Sequence, residues 1–440
     1  MEKSLTEFLD RAPLSRFHYI LLIIGSLVYG FTAMNVMLIS ATFPAIKIYW
    51  ALDPVATMLL LSIGYVGMFI GASSCGVIAD LIGRRKTLLL TISMMTVFTG
   101  LCAIAWDVFS MSVLRLLAGI GLGASLPQPG VYVSEYVPAK QRGRFIGLVE
   151  TAWVYGALLA IVFPFLLIPN YGWRLTFLVA FIPLFLIPLV LHFVPESIRY
   201  LELKGRRKEA LNVLEKYGLI AIAPDGGEPE EVSSSHSIKS VLKEVWSPTY
   251  SKRTAVLWIL WIALVYTYHG IFVWLPTAYY ELGFTLVKSL SWVLVITLIQ
   301  VPGYYSATFL LDRVGRKPVL VAYIGLAGLG SCLLGLATDI NSILLWSSVT
   351  SFFNLGAWAG LYTYTPELYP TRARGTGSGL AAGMGRIAGI FALIITPLLW
   401  YEGGLLPTFL SFAIIHFVAA ISVLILGIET KGKVLEAISK

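Results

Sequence analysis

Twelve long apolar stretches, with nearly every charge confined to the gaps between them, limit what this chain can become. They lie near 17–40, 55–79, 87–106, 108–128, 144–168, 173–194, 254–280, 287–311, 318–337, 341–365, 376–400 and 405–428. A helix needs about 20 apolar residues to cross about 30 Å of hydrocarbon, and inside a bilayer the backbone must satisfy its own hydrogen bonds. Each stretch is therefore predicted to be a membrane-spanning helix, and the chain an all-α polytopic membrane protein of twelve spans. Composition agrees: 57% of the 440 residues are hydrophobic and 13% charged, against about 25% charged in soluble domains. Residues 1–16 mix acids with bases and the first apolar run is too long for a signal core, so no cleavable signal is expected.

The net charge of +8 does not point to nucleic acid, because the basic residues sit in short clusters beside the apolar runs. If the N-terminus is cytoplasmic, all but five of the 32 Lys and Arg fall on the cytoplasmic side. Lys47, Arg174 and Lys288 fall outside, and Arg115 and Arg386 lie within spans. That asymmetry predicts both termini in the cytoplasm of a plasma-membrane protein. Cys75, Cys102 and Cys332 all fall in apolar runs without metal-ligand spacing, so neither a disulfide framework nor a metal site is expected. No cofactor is implied, and a monomer in the lipid bilayer is the expected form.

One long polar segment, 195–252, divides the chain into halves at 1–194 and 253–440. Within it, "RYLELKGRRKEALNVLEKYG" spaces Leu201, Leu211 and Leu214 as a surface amphipathic helix does, and "APDGGEPEEVSSSHS" has the composition of a flexible linker. The halves repeat one another. Asp80 and Asp312 are 232 residues apart, and so are Gly83 and Gly315, Arg84 and Arg316, Glu135 and Glu367, Pro138 and Pro370, Arg142 and Arg374, Gly143 and Gly375, and Pro44 and Pro276. One offset held across eight pairs means two six-span halves in the same orientation, the parallel-repeat plan in which a site lies between the halves.

The repeated segments, "GVIADLIGRRK" (76–86) with "TFLLDRVGRK" (308–317) and "EYVPAKQRGR" (135–144) with "ELYPTRARGTG" (367–377), resemble the loop signatures of the major facilitator superfamily. The second copy departs from the pattern at Thr308, where glycine is preferred. The resemblance implies a carrier working by alternating access, whose cytoplasmic gate is formed by Asp80, Arg84, Glu135 and Arg142 with Asp312, Arg316, Glu367 and Arg374. Carboxylates and guanidiniums at an interface can pair and separate, which gives two halves two discrete states; orientation charge alone is the simpler alternative. "PESIRYL" (195–201) and "ETKGKVLEAI" (429–438) look like sugar-porter signatures. Span 7, however, reads "YTYHGIFVWLP" (266–276) and span 10 leads into "YTYTPELYP", both similar to the organic-ion branch that includes bacterial nicotinate and aromatic-acid carriers.

Charge inside a span is costly, about 2.5–3.5 kcal/mol on insertion scales, and marks a cavity or a partner. Arg386 lies twelve residues beyond Arg374, about 18 Å deep, among small residues. It is the leading residue for a substrate carboxylate, the alternative being a permanent protein partner. Glu150 lies eight residues beyond Arg142, about 12 Å deep, and is a candidate for substrate binding and for proton coupling, or a structural hydrogen-bonder. Arg115 resembles a span 4 arginine that pairs with a span 1 acid in proton-coupled members. Here span 1 reads "YGFTAMNV", with Thr32 and Asn35 in place of the acids. Either Glu150 couples the proton, or the carrier is a uniporter or exchanger. Tyr268, His269, Asn354, Trp358, Tyr362 and Asn35 complete the expected substrate-binding set, with Asn354, Trp358 and Tyr362 sharing a face at four-residue steps.

These residues point to a carrier for a small organic anion such as an aromatic or heterocyclic monocarboxylate, its partners being that solute and, in one reading, H+. A sugar or polyol carrier is the alternative within the fold, and a non-transporting sensor or scaffold the alternative outside it. An enzyme is not expected, since no nucleophile–base pair or phosphate loop stands out.

Overall fold

The computed structural model describes residues 9, 13–219, 245–369 and 371–431, the side chains of 139, 140, 203 and 371–376 excepted. Spans 1 to 4 are Arg16–Trp50, Pro54–Ile82, Arg84–Leu101 and Val108–Ser125, the last continued beyond Pro127 by Gln128–Tyr136. Spans 5 and 6 start as one helical run, Ala139–Leu178, broken at Gly172 with φ 76°. A 3-10 stretch, Val179–Phe185, and the helix Leu186–Phe193 complete span 6. Spans 7 to 12 are Ser251–Glu281, Leu286–Arg313, Arg316–Gly335, Ile340–Glu367, Thr371–Gly403 and Leu405–Leu426. Ten of the described helical stretches are long and apolar enough to cross a bilayer, one of them being Gln141–Phe193 with its two spans. Span 10, rich in Ser, Thr and Asn, completes the twelve.

Several boundaries differ from those expected. Span 1 runs on to Trp50 through Pro44 and Lys47, whose ammonium is paired with Glu281 of span 7. The amphipathic segment after span 6 is two helices, Ile198–Leu203 and Arg207–Lys216, parted at Gly205 with φ 69°. Leu201, Ala210 and Leu214 are its buried face. The expected flexible linker, 223–237, lies outside the described residues.

The repeat extends into contacts that no motif marks. Gly71 and Gly303 are 232 apart; a Cβ on Gly71 would lie 2.0 Å from the Ile120 carbonyl oxygen, and one on Gly303 would lie 2.2 Å from that of Phe352. Ile120 and Phe352 keep the same offset, so spans 2 and 4, and spans 8 and 10, approach backbone to backbone at equivalent points. Small residues permit this approach where no hydrophobic drive exists between helices in lipid. The helix caps repeat as well. Asp53 accepts from Ala56 N and Thr285 from Lys288 N, while Asp107 and Asp339 accept from Ser110 N and Ser342 N. Each such cap contributes about 1 kcal/mol. Between the halves, span 2 packs on span 11, span 5 on span 8 and span 1 on span 7. Span 7 is the most enclosed of all.

Candidate functional site

A cavity of about 560 Å³, counting its open side, lies where the halves meet. Its lining includes Tyr29 with Trp261, Leu126 with Trp358, and Val154 with Arg386. Each of those pairs is separated by 232 residues, so the cavity sits on the pseudo-twofold axis, and equivalent positions have been filled with different side chains. Six of the expected binding residues meet there: Arg386, Glu150, Tyr268, His269, Trp358 and Tyr362. Trp153, Trp261, Tyr29 and Tyr304 line it too and were not singled out in the sequence, because nothing local separates a lining aromatic from a packing one.

The walls are aromatic. Trp358 lies 5.9 Å from Tyr268, 6.0 Å from Trp261 and 5.6 Å from Tyr362 between ring centroids. At the cavity itself the halves are joined by Trp153 Nε1, which donates to the Tyr268 hydroxyl at 2.9 Å, and by the Tyr29 and Tyr362 hydroxyls, which share a hydrogen bond at 3.2 Å. Against these walls stand an acid, Glu150 on span 5, and a base, Arg386 on span 11. Neither has an ion-pair or hydrogen-bond partner among the described residues. His269 donates from Nδ1 to the Val265 carbonyl at 2.9 Å, which leaves Nε2 an acceptor, buried and unpartnered.

Three expected residues lie elsewhere. Asn354 donates to Thr267 Oγ1 at 3.0 Å and to His416 Nε2 at 2.9 Å, packed against spans 7 and 12. Four-residue steps advance a helix face by about 40° each, so Asn354 and Tyr362 point in different directions despite their regular spacing. Asn35 is fully buried, both amide atoms without a hydrogen-bond partner among the described residues, and it is not among the residues lining the cavity. Arg115 is 1% exposed, its Nε and Nη1 without a hydrogen-bond partner among the described residues, beside Gly64, where a Cβ would stand 3.0 Å from Nη2. Thr32 bonds to Val28 O and Ser125 Oγ.

At the end carrying the repeated motifs, the ion pairs join elements of the same half. Arg84 meets Asp80 at 2.8 Å and Glu135 at 3.6 Å; Arg316 meets Asp312 at 3.3 Å and Glu367 at 3.2 Å. Arg142 is half-buried, and the Arg374 side chain lies outside those described. Two further acids belong to this cluster. Glu196, in "PESIRYL", accepts from Arg85 N at 3.1 Å, and Glu429, in "ETKGKVLEAI", accepts from Arg316 N at 3.0 Å and Lys317 N at 3.1 Å. Each caps the start of the span after the motif, where anions are favoured. Only glycine fits there: Gly83 and Gly315 have φ 103° and 121°, and a Cβ would strike the Glu196 or Glu429 carboxylate. Burial opposes ionisation of Glu429, but the N–H groups of Lys431, Arg316, Lys317 and Thr430 outweigh it and hold the carboxyl below its ordinary range.

At the opposite end the halves are tied together. Lys47 pairs with Glu281 and lies 4.8 Å over the Tyr401 ring, while Trp400 donates to the same carboxylate. Nearby, Ser40 donates to the Phe272 carbonyl at 2.7 Å. Phe272 is the position equivalent to Ser40, so the axis passes through this contact.

Two six-span halves tied at one end around an axial cavity define a membrane carrier. The model of the sugar (and other) transporter family matches residues 11–440. The niacin transporter NiaP of Acinetobacter baylyi is 36% identical over 98% of both chains. A gallate transporter of Pseudomonas putida is 30% identical over 96% of this chain and 94% of its own. A partially occluded inward-open structure of the xylose transporter XylE from E. coli, 18% identical, superposes with a TM-score of 0.77 over 96% of this chain and all of XylE, a likeness of fold. The chain belongs to this transporter family, within the major facilitator superfamily.

Proposed function

We propose that this carrier moves a planar aromatic or heterocyclic monocarboxylate by alternating access, with Arg386 binding the carboxylate. One observation carries the reading: a guanidinium with no ion-pair or hydrogen-bond partner among the described residues stands in an aromatic-walled cavity on the axis between the halves. A bidentate, charge-assisted contact suits a carboxylate, and flat rings suit the Trp261, Trp358 and Tyr362 walls. Relatives named for niacin and gallate support the same class. A neutral sugar would leave Arg386 without an anion.

The orientation follows from the Lys and Arg asymmetry. The motif end is cytoplasmic, both termini with it, and the Lys47–Glu281 end faces outward from the plasma membrane. Asp80, Arg84, Glu135, Arg142, Asp312, Arg316, Glu367 and Arg374 then form the cytoplasmic gate, and the boundaries 1–194, 195–252 and 253–440 separate halves and linker. Proton coupling, if present, runs through Glu150, because Arg115 stands apart from the cavity and span 1 offers no acid.

Uptake of labelled nicotinate, benzoate, gallate and xylose by cells producing the protein tests the substrate class. Accumulation of aromatic acids that is lost in Arg386→Gln is the expected result; accumulation of xylose, or indifference to Arg386→Gln, would overturn it. Labelling of a single cysteine at Ser439 by an impermeant reagent in intact cells would overturn the orientation.

A further inference from the structure

We propose that Glu150 binds a hydrogen-bonding ring atom of the substrate whose carboxylate Arg386 holds, so that the carrier selects heterocyclic acids such as nicotinate over plain aromatic acids. The inference rests on the monocarboxylate reading above and adds a second point of recognition to it.

The cavity contains one acid and one base that do not pair with each other. Glu150 comes from span 5 in the first half, Arg386 from span 11 in the second, and both line the same space. Both line the cavity together with Tyr29 and Tyr362, whose hydroxyls share a hydrogen bond, so the four side chains surround a common space. Tyr29 from span 1, Tyr362 from span 10 and Tyr304 from span 8 line the cavity with Glu150. Arg386 on span 11 and His269 on span 7 share the cavity. Tyr29 and Tyr362 already serve each other, and His269 presents an acceptor.

A benzoate ring between these groups satisfies Arg386 and leaves the Glu150 carboxyl against hydrocarbon, an unmade buried hydrogen bond. A pyridine nitrogen removes that cost. One proton lies between the carboxyl oxygen and the ring nitrogen, bonded to either atom. The complex has the same atoms and net charge in both forms, and its proton comes from the Glu150 carboxyl or, when that is ionised, from water as the substrate binds. The substrate then bridges acid and base across the two halves. An N-methylated ring offers neither a lone pair nor a proton and loses the contact.

The test is equilibrium binding by titration calorimetry, on the full-length protein in lipid nanodiscs at neutral pH, with benzoate, nicotinate and N-methylnicotinate. Nicotinate should bind about tenfold more tightly than benzoate, the size of one satisfied hydrogen bond to an ionisable group, and N-methylnicotinate no better than benzoate. Glu150→Met should abolish the preference, so that nicotinate binds no more tightly than benzoate, while benzoate, relieved of the unmade hydrogen bond, binds at least as tightly as to the wild type, which shows that the variant folds. Glu150→Gln, whose amide can still donate, should keep part of the preference. Arg386→Gln should weaken benzoate and nicotinate alike. Equal binding of the two acids by the wild type, or an equal loss of both in Glu150→Met, overturns the Glu150 contact while leaving the carboxylate reading intact. Binding of both acids that is indifferent to Arg386→Gln overturns the carboxylate reading instead.

Discussion

The Lys47–Glu281 contact should hold the carrier closed at that end, and Glu281→Gln isolates its charge. The variant keeps an oxygen for the Trp400 N–H and removes the attraction for Lys47. Both side chains are about one-fifth exposed, at 20% and 19%. The pair therefore stands between exposed salt bridges, at about 0–1 kcal/mol, and hydrogen bonds to charged groups, at about 1.5–3 kcal/mol. A loss of about 1–2 kcal/mol shifts a two-state balance about five- to thirtyfold. The readout is the rate at which an impermeant maleimide, added from that side, modifies Thr151→Cys in the cavity, with Cys75, Cys102 and Cys332 removed. Glu281→Gln and Lys47→Met should each accelerate labelling by that factor. The exchanged pair, Lys47→Glu with Glu281→Lys, should return most of the way to the slow rate, short of it because Trp400 loses its acceptor. Unchanged labelling in the single variants would refute the latch, and so would an exchanged pair that labels as fast as they do.

Gly71→Ala and Gly303→Ala each force a methyl onto a carbonyl oxygen and should cost about 1–3 kcal/mol, read as similar drops in melting temperature; a drop in only one would mean the repeated contact is not equivalent in the two halves. Asn354→Ala leaves His416 Nε2 without its donor and should destabilise the protein by about 1–3 kcal/mol while substrate affinity is unchanged; lost affinity in a stably folded variant would restore Asn354 to the binding site. Glu429 has a folded-state pKa below its unfolded value, so its stabilisation is full above the unfolded value and is lost as pH falls through the folded one. The melting gap between wild type and Glu429→Gln should be widest near neutrality and close below about pH 4; a gap that persists in acid would assign the stabilisation to shape rather than charge.

The architecture was legible because membrane helices announce themselves in hydropathy and because motif residues such as Asp80 and Asp312 keep one offset. Arg386 and Glu150 were legible for a related reason: an ionised group is so costly in hydrocarbon that its presence is a signal in itself. Span ends were not, since Lys47 reads as a terminus until Glu281 is seen beside it. Nor were the cavity walls. Trp153 and Trp261 look no different in the chain from Trp274, which packs against Trp400 and Tyr401; only the neighbours decide. Asn354 was not legible either, since residues at four-residue steps drift about 40° per step and it no longer shares a face with Tyr362 after two of them. Gly71 and Gly303 went unnoticed because their partners, Ile120 and Phe352, contribute backbone that no side-chain pattern reveals.

Val154 and Arg386 occupy equivalent positions on either side of the axis. Two identical half-chains assembled as a pair could not build this arrangement: an arginine at that position would meet its own copy across the cavity, two like charges in a poorly solvated space. A valine there would meet a valine, leaving nothing to grip an anion. Tying both halves into one polypeptide lifts that prohibition, because each side can then mutate without dictating the other. The segment joining span 6 to span 7 thus does more than tether. It permits a lopsided interior, with an acid supplied from one flank and a base from the other, so that a guest can be held in one orientation only.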